Sequence, residues 1–251
     1  MSMHKLFKTP HGSTIAYHYH DGNKPTIVFF GGFMSDMEGT KAQALEKHCL
    51  EKGYGFLRFD YSGHGKSSGK FEEGTIGLWA KDSIALIEEV VSDPIIIIGS
   101  SMGGWTGLLA SLKFKNRLKA FIGIAAAPDF TERLMWAGFS EVEKQELKHN
   151  GKIELPSDYS DEPYIISLAL IEDGREHLLL DKPILLDVPV RLIHGEKDMD
   201  VPVETSHMLS ACLSSEDVEI TLVKGGEHSL SEPKDLKRLM NTLDQLMADF
   251  I

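Results

Sequence analysis

The sequence predicts an α/β protein built on a mostly parallel central sheet with helices on both faces. Three observations carry this. Short β-branched and aromatic runs alternate with segments of helical periodicity along most of the chain. The run Ile95-Ile96-Ile97-Ile98 is apolar at every position, as an interior parallel strand covered on both faces must be. Polar loops rich in Gly and Ser follow the strands, and sheets of this kind bind ligands at the carboxyl ends of their strands. The chain length of 251 suits one domain spanning 1–251, and 42% hydrophobic residues suffice for a real core.

Taken in order, Lys5 to Tyr19 reads as an opening hairpin turned by Pro10, His11 and Gly12. Thr26 to Phe30 is a strand, released into Gly31-Gly32-Phe33-Met34. Ser35 to Glu38 resembles a capping box for a helix that turns Ala42, Leu45 and Cys49 inward and stops at Gly53. Tyr54 to Phe59 is the next strand. The loop after it, Asp60 to Gly69, lacks both the Walker order and the third glycine of a dinucleotide fingerprint, so it predicts no phosphate cradle. Ile76 to Val91 is an amphipathic helix stopped by Pro94. Leu118 to Ala126 is a strand, after which the alternation breaks down. The segment from about 131 to 182 is charged, with short helical pieces, and is expected to be a small helical lid inserted over the sheet. Val190 to His194, Val203 to Leu213, Val218 to Val223 and a closing helix through Leu236 to Phe250 then resume the α/β pattern.

The chemistry is concentrated after the isoleucine run. Gly99-Ser100-Ser101-Met102-Gly103 fits G-x-S-x-G between a strand and a helix, the context of a nucleophile elbow. Glycine on both sides removes Cβ atoms that so sharp a turn would crowd. A serine hydroxyl needs a base, usually a histidine oriented by a carboxylate. In this topology the chain order is nucleophile, acid, base. Five histidines follow Ser101: His149, His177, His194, His207 and His228. Only His228 lies in the loop after the last strand, and the other four are expected to be structural or surface groups. The loop after the preceding strand offers Glu196, Asp198 and Asp200. Asp198 is the expected acid, with Asp200 next on spacing. Backbone N–H groups of Met102 and Phe33 are the expected oxyanion donors.

Weaker signals are read against plainer explanations. His18 and His20 are expected on one face of an exposed strand, since no third ligand completes a metal spacing. His64 either lines the pocket or merely packs. Trp136, Phe139, Tyr159 and Tyr164 either line an acyl pocket or pack within the insertion. No metal and no organic cofactor is expected.

A net charge of -12 disfavours nucleic acid and anionic membranes as partners. Two distant cysteines, Cys49 and Cys212, form no disulfide framework and suit a reducing compartment. No transmembrane run, signal-peptide core or arginine-rich leader is visible, so a cytoplasmic protein is expected. No feature predicts an oligomeric state.

Gly32-Phe33, Asp60-Tyr61-Ser62-Gly63, Gly99 to Trp105, His194-Gly195-Glu196-Lys197-Asp198 and Glu227-His228 together resemble the α/β-hydrolase superfamily along essentially the whole chain. Phe33 to Ala42, Arg58 to Gly63 and Pro156 to Ser160 are similar to a group of mitochondrial serine esterases within it. That resemblance places Ser101, Asp198 and His228 on the family's triad. It implies cleavage of acyl thioesters on S-acylated protein cysteines and of acyl glucuronides. The expected protein is therefore a serine hydrolase of carboxylic esters or acyl thioesters. A small peptidase or amidase of the same fold, and a non-catalytic binding protein, are the alternatives.

Overall fold

The computed structural model describes residues 4–155 and 164–250. A hairpin of β1 (Lys5–Lys8) and β2 (Thr14–His20) opens the chain. It is followed by β3 (Asn23–Phe30), α1 (Thr40–Lys52), β4 (Tyr54–Phe59), α2 (Ile76–Val90), β5 (Ile95–Ser100), α3 (Met102–Lys113) and β6 (Leu118–Ile124). After an inserted segment come β9 (Val190–Gly195), α6 (Glu204–Cys212), β10 (Val218–Val223) and α7 (Pro233–Met247). The eight-stranded sheet runs β1-β2-β4-β3-β5-β6-β9-β10, parallel from β4 onward.

This order puts a reversal of winding at β3. The chain leaves β3 for β4 on one side and reaches β5 on the other, so the loops after β3 and β5 diverge from adjacent strand ends. Phe30 is paired in register with Gly99 there. A crevice at this point follows from topology alone.

The isoleucine run divides its side chains between two cores. Ile95 and Ile97 pack with Trp79, Leu86, Trp105 and Leu108 from α2 and α3. Ile96 and Ile98 pack with Leu45, Cys49, Leu239 and Leu243 from α1 and α7. All four are fully buried. At roughly 1.5–3 kcal/mol for each buried side chain, this strand is among the best-anchored parts of the molecule. Cys49 and Cys212 are both free thiols, and burial pushes the Cys49 thiol up.

Four local expectations need correction. The Ser35–Glu38 capping box does not form. Buried Arg58 draws Glu38 to itself at 2.9 Å and Glu46 at 2.8 Å, and α1 starts later, from Gly39, without a side-chain cap. Second, β2 is covered by β4 as well as β1, so its histidines are not on an open face. His18 stands opposite Arg58, and His20 stacks on Phe56 with ring centroids 6.0 Å apart. Third, the helix before Pro94 already ends at Val90. Fourth, the segment between β6 and β9 is not wholly helical. It contains a π-helical stretch at Thr131–Trp136, α4 (Glu141–Asn150), an antiparallel ribbon of β7 (Lys152–Leu155) and β8 (Tyr164–Ser167), and α5 (Leu168–Glu176). Four-residue strands are too short to show alternation in sequence; the ribbon is held by burial of Ile153 and Ile166 beneath it. Among the described residues, no helix is long and apolar enough to cross a membrane.

His64, in the loop after β4, packs rather than lining the crevice. Its ring meets Tyr61, Phe71 and Trp79 at 5.5, 5.1 and 5.2 Å. Nδ1–H donates to the Ser62 carbonyl at 3.2 Å, whereas buried Nε2 has no partner among the described residues. Burial pushes its pKa down to about 4 from the ordinary 6.5. Between those values the unfolded chain binds the extra proton, so the group costs stability as pH falls through that window. His64→Phe keeps the ring packing and removes the titration. Urea denaturation at a series of pH values should show the stability slope between pH 4 and 6.5 reduced by roughly 1 kcal/mol per pH unit. An unchanged slope would contradict the assignment.

Candidate active site

Ser101 joins β5 to α3 with φ 54° and ψ −121°, a strained conformation for a residue with a side chain. Such strain costs about 1–3 kcal/mol and persists only where the surroundings enforce it. Here the enforcement is close backbone approach. A Cβ on Gly99 would lie 2.3 Å from the Gly103 carbonyl oxygen, and one on Gly103 would lie 2.1 Å from that of Phe30. The first turn of α3 therefore rests directly on the ends of β5 and β3. The β6 side pins the turn as well: Ser101 N–H donates to the Ile124 carbonyl, and Ala127 N–H to that of Ser101.

The structure brings Ser101, His228 and Asp198 within hydrogen-bond reach. Ser101 Oγ is 3.0 Å from His228 Nε2, and His228 Nδ1 is 2.8 Å from Asp198 Oδ2. A carboxylate only accepts, so Nδ1 carries the proton and the Nε2 lone pair receives the Ser101 O–H. The Asp198 side chain is fully buried, while His228 keeps 20% exposure. Burial alone raises the Asp198 pKa. Hydrogen bonds from His194, His228 and the Val201 N–H outweigh it and hold the carboxyl well below the usual carboxylate range. The other oxygen, Oδ1, accepts from the N–H groups of Asp200 at 3.0 Å and Val201 at 2.8 Å. Asp200 thus contributes its backbone to Asp198, and its side chain lines the cavity. Asp198, Asp200 and His228 do offer three ligand atoms within 4.8 Å of one another. A metal there would have to displace the donors that already occupy both Asp198 oxygens.

Met102 is the first residue of α3, so its N–H has no intrahelical acceptor. Phe33 lies in the turn after β3. Among the described residues neither N–H has a backbone acceptor, and both residues line the same cavity as Ser101 and His228. The loop bearing Phe33 is held from behind by β4 and the loop after it. Tyr61 O–H reaches the Gly31 carbonyl at 3.2 Å and Thr106 Oγ1 at 2.9 Å. Buried Asp60 accepts from Met37 N–H at 2.6 Å and Lys66 N–H at 2.7 Å, and Arg58 donates to the Met37 carbonyl. The Phe33 ring sits among Phe71, Phe130 and Tyr164 at 4.8, 5.7 and 6.2 Å.

The cavity over Ser101 measures about 770 Å³. The β6–β9 segment gives it an apolar wall, including Phe130, Leu134, Phe139, Tyr164 and Ile166. Ser35, Asp36, Lys41, Ser229 and Ser231 supply polar lining from the loops after β3 and β10 and the start of α1. Lys41 Nζ donates to the Ser229 carbonyl and to Ser231 Oγ, and burial pushes its pKa down to about 8. Phe139 and Tyr164 therefore line the cavity. Trp136 instead lies under the cations of Lys144, Lys148 and Arg175, 4.6–5.6 Å from its ring. Tyr159 and the 156–160 stretch lie outside the described residues. His149 and His207 lie on α4 and α6, His177 caps the end of α5, and none of the three lines the cavity over Ser101. His194 is not a bystander: its Nε2 is 3.3 Å from Asp198 Oδ2. Its place at the end of the strand preceding Asp198 was visible in sequence, but its direction was not.

Residues 21–156 match the family model described as serine aminopeptidase, S33. The mitochondrial palmitoyl-protein thioesterase ABHD10 of Bos taurus is 38% identical over 237 residues, covering 93% of this chain and 76% of its own. The Mus musculus form is 39% identical over 234 residues, with 93% and 78% covered. Among solved structures, mouse α/β-hydrolase domain-containing protein 10 superposes with a TM-score of 0.92 at 35% identity, covering both chains fully. A protein of Agrobacterium vitis S4 gives 0.93 at 36% identity, with 97% of this chain and 98% of its own covered. Est1E from Butyrivibrio proteoclasticus, with ferulic acid bound, shares the fold at 22% identity and a TM-score of 0.80, covering 99% of each chain. With an elbow serine at the switch point of an eight-stranded sheet and relatives matching over nearly its whole length, the chain belongs to the α/β-hydrolase family.

Proposed function

We propose that this protein hydrolyses carboxylic esters or acyl thioesters through an acyl-enzyme on Ser101. The observation that carries the reading is the continuous relay from Ser101 Oγ to His228 Nε2 at 3.0 Å and from His228 Nδ1 to Asp198 Oδ2 at 2.8 Å. Ser101 Oγ attacks the acyl carbonyl while His228 takes its proton. Asp198 keeps His228 in the productive tautomer and offsets the imidazolium charge. The carbonyl oxygen becomes an oxyanion that accepts from the Phe33 and Met102 N–H groups. Each such donor is typically worth about 10²–10³ in rate. His228 then returns its proton to the leaving group, and in the second half-reaction it activates the water that frees the acid.

The two linings of the cavity suit an amphiphilic substrate, with the acyl chain along the apolar β6–β9 wall and the leaving group toward Lys41 and Ser231. On this reading the chain is a single domain, and the described residues of the insertion at about 131–182 form a lid that shapes the acyl site. The names of the ABHD10 relatives support a long acyl chain carried on a protein cysteine. A thiol of pKa ~8.5 leaves with less acid help than an amine. The family description as serine aminopeptidases favours the peptidase alternative, which predicts turnover of aminoacyl amides. A non-catalytic binding protein predicts a complete relay that resists a fluorophosphonate probe. The relatives carry a mitochondrial label, which does not match the cytoplasmic expectation; the two free cysteines suit a reducing compartment in either case.

Three outcomes test this account. Ser101→Ala should lose at least about 10⁴-fold of kcat on p-nitrophenyl esters and acyl thioesters. Retention of a tenth of the activity would remove Ser101 as nucleophile. Asp198→Asn should lower kcat on the order of 10³–10⁴-fold, and Asp200→Asn less than about 10-fold; the reverse ranking would move the acid to Asp200. Leu134→Trp should fill the apolar wall and depress kcat/KM for long acyl chains by about 10-fold or more while sparing acetyl esters. An equal effect across a chain-length series would put the acyl chain elsewhere.

A further inference from the structure

His194 is fully buried at the end of β9, and each of its ring nitrogens has a polar partner. Nε2 is 2.9 Å from the Val201 carbonyl oxygen, which can only accept. The ring proton therefore sits on Nε2. Nδ1 is 2.7 Å from Ser206 Oγ on α6, and in the neutral ring it must receive the serine O–H. These two partners orient the ring without any contribution from substrate. Nε2 also lies 3.3 Å from Asp198 Oδ2, the oxygen that pairs with His228. The Val201 peptide closes the arrangement, because its carbonyl takes the His194 proton while its N–H donates to Asp198 Oδ1.

We propose that His194 is a positioning residue for the acid of the relay: its Nε2–H, shared between Val201 and Asp198, locks the 198–201 turn and draws part of the carboxylate charge away from His228. The inference rests on the Ser101–His228–Asp198 reading and assigns His194 a role within it. The titratable groups around the carboxylate are His194 from β9, His228 from the loop after β10 and Asp200 from its own loop. Lys41 of α1 reaches the Ser229 carbonyl beside His228. Among the described residues, no lysine or arginine pairs with Asp198.

The direction of the effect follows from the charge. Asp198 Oδ1 stays held by the Asp200 and Val201 N–H groups when His194 is lost. More of the carboxylate charge then faces His228, which releases its proton at higher pH. The acid limb of the kcat/KM profile reports that release in the free enzyme.

The experiment compares three proteins on one p-nitrophenyl ester across a pH series. In His194→Phe/Ser206→Ala the second change removes a hydroxyl that the first would orphan. That double variant should move the acid limb up by roughly 0.5–1 pH unit. It should also lower kcat by about 10-fold with KM little changed, the lower end of what groups that orient a catalytic ligand usually contribute. His194→Gln, which restores an N–H near the Nε2 position, should return the limb toward that of the natural protein. A folded double variant with an unmoved or lowered limb would overturn the proposal. So would a His194→Gln limb as displaced as the double variant's.

A second readout uses the natural protein and does not depend on folding of a variant. Histidine ¹⁵N resonances, with His194 assigned by its loss in His194→Gln, should show the Nε2–H tautomer at pH 8. An Nδ1–H tautomer would also overturn the proposal. Retained activity in Ser101→Ala would instead remove the relay itself, so the two failures are distinguishable.

Discussion

The contact on which the rest of the site depends is the one between the first turn of α3 and the end of β3. Gly103 has no room for a Cβ above the Phe30 carbonyl, and Gly99 has none beneath Gly103. This forces Ser101 into its positive φ and lifts its hydroxyl above the sheet. The same contact sets the Phe33 turn beside the start of α3, so the proposed nucleophile and oxyanion donors are positioned by one piece of backbone packing. The sheet order makes the contact possible, since β3 and β5 are neighbours whose following loops part company.

A second constraint acts at Asp198. Asp198 is fully buried, and a lone carboxylate there would be driven toward its neutral form. Backbone N–H groups from its own turn and two imidazole rings reverse that balance. The carboxylate consequently remains ionised over the whole working pH range. Arg58, Asp60 and Tyr61 do comparable work behind the Phe33 loop through buried hydrogen bonds to backbone groups of Gly31 and Met37.

Much of this was legible in the sequence because it is local. The elbow is a five-residue pattern between a buried strand and a helix, and topology brings the loop holding His228 to the same end of the sheet. Spacing alone could not separate Asp198 from Asp200, because the choice depends on how one turn folds back on itself. The Asp200 and Val201 N–H groups that close on Asp198 Oδ1 support the choice of Asp198. His194 was hidden for a related reason, since a histidine at a strand end gives no sign of which loop its ring will face. The β7–β8 ribbon is too short for a visible period of two, and the missing α1 cap reflects competition by Arg58 from a different strand. Those outcomes are tertiary, and they are where a local reading of the chain loses its warrant.

The central claim is that an acyl group is carried on Ser101 during turnover. Rapid-quench intact-mass spectrometry during the pre-steady-state burst, using a slowly deacylated acyl ester, tests it directly. The account predicts a mass increase of one acyl group per chain, mapped by peptide analysis to the peptide containing Ser101 and decaying at the rate of product acid release. Full turnover with no adduct, or an adduct mapped to another residue, would contradict it.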